Sequence, residues 1–223
     1  REEFVYAGEP LEDAVSRAKA LSDGPVLLLD HADNVGSGGT QDVMVVIEEV
    51  LRQGLKDVAV AAVYDPTAIK AMQKAGIGAT VTLQLGGKTE MPSINLKGEP
   101  LEVTGTVKAL TNGEWVVRGP MYTGVKVMMG HSAVLDTGDM EIVIISQHHE
   151  PWDLGVFTSV GIQPEHKRYL LLKSRIHYRA GFGDLGKHTI TCDGHGVTTS
   201  DNTLLDFQKV RRPIYPLDNI NEP

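Results

Sequence analysis

The feature that most constrains the fold of this chain is a single passage. The apolar run Pro25-Val26-Leu27-Leu28-Leu29 leads into Asp30-His31-Ala32-Asp33-Asn34-Val35-Gly36-Ser37-Gly38-Gly39-Thr40-Gln41-Asp42. A short apolar run bounded by turn residues reads as a buried strand, and Val43–Gln53 with Gly54 at its end reads as a helix. Strand, glycine-rich loop and helix in that order form the repeating unit of open α/β sheets, which take ligands outside the carboxyl ends of their strands. Two carboxylates and an amide crowd one end of this loop, and its glycines let backbone come close to whatever sits there.

The same rhythm continues to Leu85. Leu11–Leu21 carries apolar residues at helical spacing behind Pro10. Asp57–Tyr64 is a near-continuous apolar run, as in a parallel strand covered on both faces. Asp65-Pro66 opens a helix that Gly76 stops, and Ala79–Leu85 is a third strand of the parallel set. The middle changes character. Glu102–Leu110 alternates, Asn112-Gly113 is a hairpin signal followed by Trp115–Arg118, and Thr137-Gly138-Asp139 separates Ser132–Asp136 from Glu141–Ser146. Helix and strand then return, with a short helix at Asp153–Val160, a strand at Tyr169–Lys173, a helix at Arg175–Lys187 and alternation over His188–Cys192. From Arg211 the Pro-containing tail reads as an extended strap. The expectation is an α/β fold whose mixed sheet has a parallel strand-helix-strand N-terminal part and an antiparallel β-hairpin section in the middle. It forms one domain over 1–223, divided into 1–90, 100–147, 150–210 and the tail 211–223.

Composition narrows the function classes. Twenty-one Lys and Arg against 29 Asp and Glu give a net charge of -8, and the basic residues are scattered, so no nucleic-acid footprint is expected. No apolar stretch approaches the ~20 residues of a membrane span. The one cysteine, Cys192, excludes an internal disulfide and reads as a buried inert thiol, which suits a reducing cytoplasm. The chain opens Arg1-Glu2-Glu3-Phe4 with neither a signal-peptide pattern nor a Met, as expected of a processed chain or a region of something longer.

A second cluster, Lys173-Ser174-Arg175-Ile176-His177-Tyr178-Arg179-Ala180-Gly181-Phe182, begins where another strand ends. By the carboxyl-end rule, Lys173, Ser174 and His177 face the same crevice as the Asp30–Gly39 loop. Two readings of it stand. In one, Ser174 only caps a helix and His177 is a hydrogen-bonded packing residue; in the other, His177 polarises a substrate or shuttles a proton. His148 and His149 are neighbours on an extended segment, point to opposite faces and do not bind one ion together. No His-Glu-x-x-His, Cys-x-x-Cys or His-x-His occurs, so no metal site is expected within this chain. The glycine loop is neither a P-loop nor a dinucleotide fingerprint, and no Gly-x-Ser-x-Gly elbow is present.

Four segments together resemble the C-terminal domain of the microcystinase C (MlrC) family, described as zinc metallopeptidases. They are Asp30-x-Ala32-Asp33-Asn34-x-Gly36-x-Gly38-Gly39-x-x-Asp42, Tyr64-Asp65-Pro66 with Ala75-Gly76-Ile77-Gly78, Lys173-Ser174-x-x-His177-Tyr178-Arg179-Ala180-Gly181-Phe182, and Arg212-Pro213-Ile214-Tyr215-Pro216-Leu217-Asp218. The family usually reads Asp-Asn-Pro-Gly-Gly-Gly where Val35 and Ser37 interrupt the pattern here, and Phe where Tyr178 stands. The resemblance gives no role to His31 or His131.

The resemblance implies a protein about twice this long, with its zinc ligands and catalytic carboxylate on an N-terminal α/β domain that this chain lacks. Zinc would serve the full-length protein and no cofactor this chain, which alone is expected to be inactive. Its reaction would be hydrolysis of peptide-like bonds, with a small peptide-like substrate and the N-terminal domain as partners. Asp30, Asp33, Asn34, Gly36, Gly38, Gly39, Lys173, Ser174, His177 and Arg179 would hold substrate or pin the catalytic domain, and His177 is the catalytic candidate. A surface left bare by a missing domain would also allow a homodimer. The alternative is a non-catalytic module that binds small anions or peptides through the glycine-rich loop.

Overall fold

The computed structural model describes residues 5–220, so Arg1–Phe4 and the end of the tail, 221–223, lie outside it. The chain runs α1 (Leu11–Ala20), β1 (Val26–Asp30), α2 (Val45–Arg52), β2 (Val58–Tyr64), α3 (Pro66–Ala75), β3 (Thr80–Leu85), β4 (Leu101–Thr111), β5 (Glu114–Val116), β6 (Lys126–Met128), β7 (Ser132–Asp136), β8 (Met140–Ile145), α4 (Gly155–Thr158), β9 (Tyr169–Leu172), α5 (Arg179–Phe182) and β10 (His188–Cys192). Eight strands form one sheet in the order β10-β1-β9-β2-β8-β7-β4-β3, and β5 and β6 form a separate ribbon. From β10 to β8 neighbours run parallel; from β8 to β3 they run antiparallel.

Alternation along the strands builds two cores. Leu28, Val58, Val60 and Leu171 face one way, against Val15 and Ala18 of α1, Ile47 and Val50 of α2, and Ile69 and Met72 of α3. Leu27, Leu29, Ala59 and Leu170 face the other way, against Phe157, Phe182 and Met129. With both faces covered, β1, β2 and β9 are apolar almost throughout, as a buried parallel sheet requires. The α3 helix begins where the sequence says. Asp65 Oδ1 accepts the Thr67 and Ala68 N–H groups at 3.1 and 2.9 Å, Pro66 fills the first turn, and Gly76 ends it at φ +86°.

Four expectations are corrected. The strand at 80–85 is not part of the parallel set; β3 is an edge strand antiparallel to β4. Its pattern of exposed Thr80, Thr82 and Gln84 between half-buried Val81 and Leu83 suits an edge with one solvated face. Asn112-Gly113 does not fold Trp115 back onto β4: β7 is the strand that pairs with Thr106–Thr111, and β5 pairs with β6 instead. The helix expected over 175–187 shrinks to the single turn of α5. Gly181, Gly183 and Gly186 weaken it, and two of them are needed for contact: a side chain would strike Asp153 backbone at Gly181 and Leu27 at Gly186. Within the tail, residues 212–218 are not extended. Asp218 accepts the Ile214 N–H at 2.6 Å and pairs with the Arg212 guanidinium, while the Asp218 N–H returns to Ile214 O at 2.9 Å, closing a compact turn.

Candidate functional site

The loops leaving β1, β8 and β9 meet at the carboxyl ends of parallel strands. The floor is a buried charge cluster. Lys173, one residue past β9, places its Nζ 2.7 Å from Asp30 Oδ2, 2.9 Å from Asp33 Oδ2 and 2.6 Å from the Val43 carbonyl. All three charged side chains are fully buried. Asp33 is saturated: it also accepts the Gln41 and Val43 N–H groups at 2.7 and 3.0 Å and the Thr40 hydroxyl at 3.1 Å. Two carboxylates share one ammonium. Burial lifts Asp30 to about 6 against the opposing pull of Lys173. Burial alone would push Lys173 down, but the Asp30 and Asp33 charges outweigh it and hold its pKa above the ordinary value.

The glycine-rich loop is folded onto itself. Asn34 Oδ1 accepts the Gly36 N–H at 3.0 Å, Asn34 O accepts from Ser37 and Gly39 at 3.1 and 2.9 Å, and Val35 O accepts from Gly38 at 2.9 Å. Gly38 sits at φ +97°, and a side chain on Gly39 would strike the Asp33–Asn34 backbone. Every N–H from Gly36 to Gly39 thus has an internal partner, so the loop holds no row of free donors for an anion.

Above this floor lies a pair that sequence reasoning missed as a pair. Glu150, buried in the loop after β8, accepts the Ser174 hydroxyl at 2.8 Å on Oε1 and meets His177 Nδ1 at 2.9 Å on Oε2. Ser174 Oγ in turn accepts the Tyr178 N–H at 3.2 Å, so it does cap the following turn while anchoring Glu150. Gly36 is needed here, because a Cβ would collide with Glu150 Oε2. The His177 side chain is 47% exposed while that of Glu150 is 5% exposed. A buried carboxylate therefore fixes Nδ1 of an imidazole, leaving Nε2 as the nitrogen available to a proton or a ligand. Arg179 lies nearby in α5, its guanidinium 5.5 Å from the centre of the Tyr178 ring.

Gln41 locks the two loops together. Its side-chain amide donates to His149 O at 2.5 Å and accepts from His149 N at 3.1 Å, with its own backbone at φ +59°. His148 stacks on Tyr64 at 3.9 Å, while His149 turns inward between Trp115 and Trp152 at 5.4 and 4.4 Å. The two rings diverge, as adjacent positions should. Burial pushes His149 down to about 4 against the pull of Asp153. Burial likewise pushes the Cys192 thiol well up, away from the reactive thiolate. The signal that would have found Glu150 is its place just beyond the carboxyl end of β8, the third strand to end at this site.

Among the described residues no group of three or more His, Cys, Asp or Glu could hold a metal ion. The acids nearest the site are already engaged, Asp30 and Asp33 by Lys173 and Glu150 by Ser174 and His177. With these carboxylates held by Lys173, Ser174 and His177, the described residues alone do not make a metal cradle.

The family model described as MlrC C-terminus matches residues 28–209. The chain belongs to the MlrC C-terminal family. The match takes in the floor, the glycine loop and the Glu150–His177 pair; the Arg212–Asp218 turn lies beyond it. The MlrC C-terminal chain is 28% identical over 206 residues to microcystinase C of Sphingomonas sp, covering 92% of this chain and 38% of that protein. A crystal structure of a Mesorhizobium sp. BNC1 protein, provisionally named a metallopeptidase, superposes with a TM-score of 0.84 at 27% identity, over 99% of this chain and 43% of that one. The chain thus spans less than half the length of either relative. None of the helices among the described residues is long and apolar enough to cross a membrane.

Proposed function

We propose that this chain is the C-terminal part of a zinc-dependent amide or peptide hydrolase, shaping a substrate cleft whose metal ligands lie in a preceding domain. One observation carries the reading: the half-exposed His177, held from behind by buried Glu150 and Ser174 at the carboxyl ends of parallel strands. Family membership and the two named relatives support the reaction class.

In this reading the residues divide by burial. Asp30, Asp33 and Lys173 set the floor, and Asn34, Gly36, Gly38 and Gly39 form a wall of fixed shape. Ser174 acts through Glu150, and His177 and Arg179 meet a short peptide-like substrate. His177 holds or moves a proton at Nε2 against the bound peptide, which its exposure allows and its Nδ1 partner orients. The anion-binding alternative gains nothing from the geometry, since the loop's N–H groups are internally engaged.

The test is kcat/KM of the full-length protein and its His177→Ala variant on short linear peptides. A loss of about 100-fold or more is expected for a group acting in proton transfer. A variant within about twofold of the parent, folded to the same extent, would overturn the placement of His177 in the cleft.

A further inference from the structure

The β5–β6 ribbon stands outside the main sheet. Two strands of three residues are too short to persist alone, so something must hold each face. The inner face is held. Trp115 packs edge-on against His149 at 5.4 Å and lies so close over Gly155 that a side chain there would enter the indole. Val117, Val127 and Met129 are buried beside it. On the outer face Val116 and Met128 are 52% and 56% exposed, and in the loop between the strands Tyr122 and Val125 are 60% and 49% exposed. The register sets Glu114 opposite Met128 and Val116 opposite Lys126, so the same face carries a Glu114–Lys126 ion pair at 2.7 Å, and Arg118 is exposed just beyond β5. A small face on which apolar side chains alternate with a neutralised ion pair suits a polypeptide partner.

One further contact ties the ribbon to the segment that follows Glu150. Tyr122 adopts φ +60°, a left-handed conformation strained for a bulky residue, and its ring stands edge-on to Trp152 at 5.9 Å. Trp152 follows Glu150 by two residues. Strained residues persist where the surroundings or a partner hold them. The length of chain beyond this one names that partner. This chain covers 38% and 43% of its two relatives, and the matching family model describes a C-terminus, so the remainder of such proteins precedes it.

We infer that the outer face of the β5–β6 ribbon is the seat of the polypeptide that precedes this region in the full-length protein. The inference rests on the reading of this chain as the C-terminal part of a longer hydrolase. The ribbon's loop is tied to the segment that carries Glu150, because Asp153 Oδ2 accepts the Gly119 N–H at 2.6 Å.

The experiment is amide hydrogen exchange, followed by mass spectrometry, on the full-length protein and on the 223-residue chain. Segment 114–128 is expected to exchange about tenfold or more slowly in the full-length protein, with β2 equal in both. Equal exchange over 114–128 would overturn the inference. Val116→Asp with Met128→Asp should leave the melting temperature of the 223-residue chain unchanged and split the full-length melting curve into two transitions. A full-length curve unaltered by the pair would contradict it. So would self-association of the 223-residue chain that Val116→Asp abolishes, because a second copy would then own the face. These readouts involve no hydrolysis, so they fail or succeed independently of the His177→Ala assay.

Discussion

The floor and the rim of the site use the same residue types to opposite ends. At the floor, Lys173, Asp30 and Asp33 are wholly buried and bonded to one another and to backbone. At the rim, Glu150 is buried but its partner His177 keeps nearly half its surface in solvent. A charge with every neighbour inside the fold is committed to the fold. A titratable ring with one nitrogen engaged and one facing out has chemistry left to offer. Sequence pattern put Lys173 and His177 in one candidate cluster, and burial divides them.

The floor should break hardest. Lys173→Met strands two buried carboxylates, and a loss of about 3–5 kcal/mol is expected in urea unfolding. Adding Asp30→Asn should restore part of it; a single variant within about 1 kcal/mol of the parent would mean the floor is not a charge cluster.

Next comes pH. Buried His149 stays neutral down to about 4, whereas the unfolded imidazole protonates near 6.5. Between those values the unfolded chain binds a proton that the folded chain refuses, so this residue's contribution to stability is present above pH 6.5 and is lost as pH falls toward 4. Asp30 works the other way, binding its proton earlier in the folded chain, from about 6 downward. Subtracting the parent's curve from that of His149→Phe isolates the histidine. The variant should gain about 3 kcal/mol relative to the parent on going from pH 6.5 to pH 4. Parallel curves would refute a buried neutral ring.

Gln41→Leu leaves the His149 N–H and carbonyl without their partners and should cost about 1–3 kcal/mol, read by the same unfolding experiment. Smallest of all, His177→Ala should cost about 1 kcal/mol, because Glu150 keeps the Ser174 hydroxyl and water can reach the place the half-exposed ring leaves. A loss like that of Lys173→Met would erase the distinction between floor and rim.

What the sequence made legible follows from the range of the forces involved. β1, β2 and α3 are set by local pattern: continuous apolar runs covered on both faces, and Asp65-Pro66 with Gly76 marking helix ends. The β7–β8 hairpin likewise follows its Gly138 turn. The errors lie where partners decide. The direction of β3, the failure of Asn112-Gly113 to return a strand to β4, and the loss of helix at 175–187 depend on what packs alongside. The tail's closure depends on one Arg212–Asp218 pair that no periodicity encodes. At the site, sequence pattern singles out Asp33 and Lys173 because both flank strand ends. Gln41 was missed because its partner is 108 residues away, and Glu150 because its role exists only once Ser174 and His177 arrive.

The central claim is that Glu150 orients His177 so that Nε2 faces outward. Nitrogen NMR of the imidazole in the 223-residue chain tests it directly. In the neutral ring, the proton should reside on Nδ1, donated to Glu150, with Nε2 unprotonated, and Glu150→Gln should shift the tautomer balance. A proton on Nε2, or a balance indifferent to Glu150→Gln, would contradict the account.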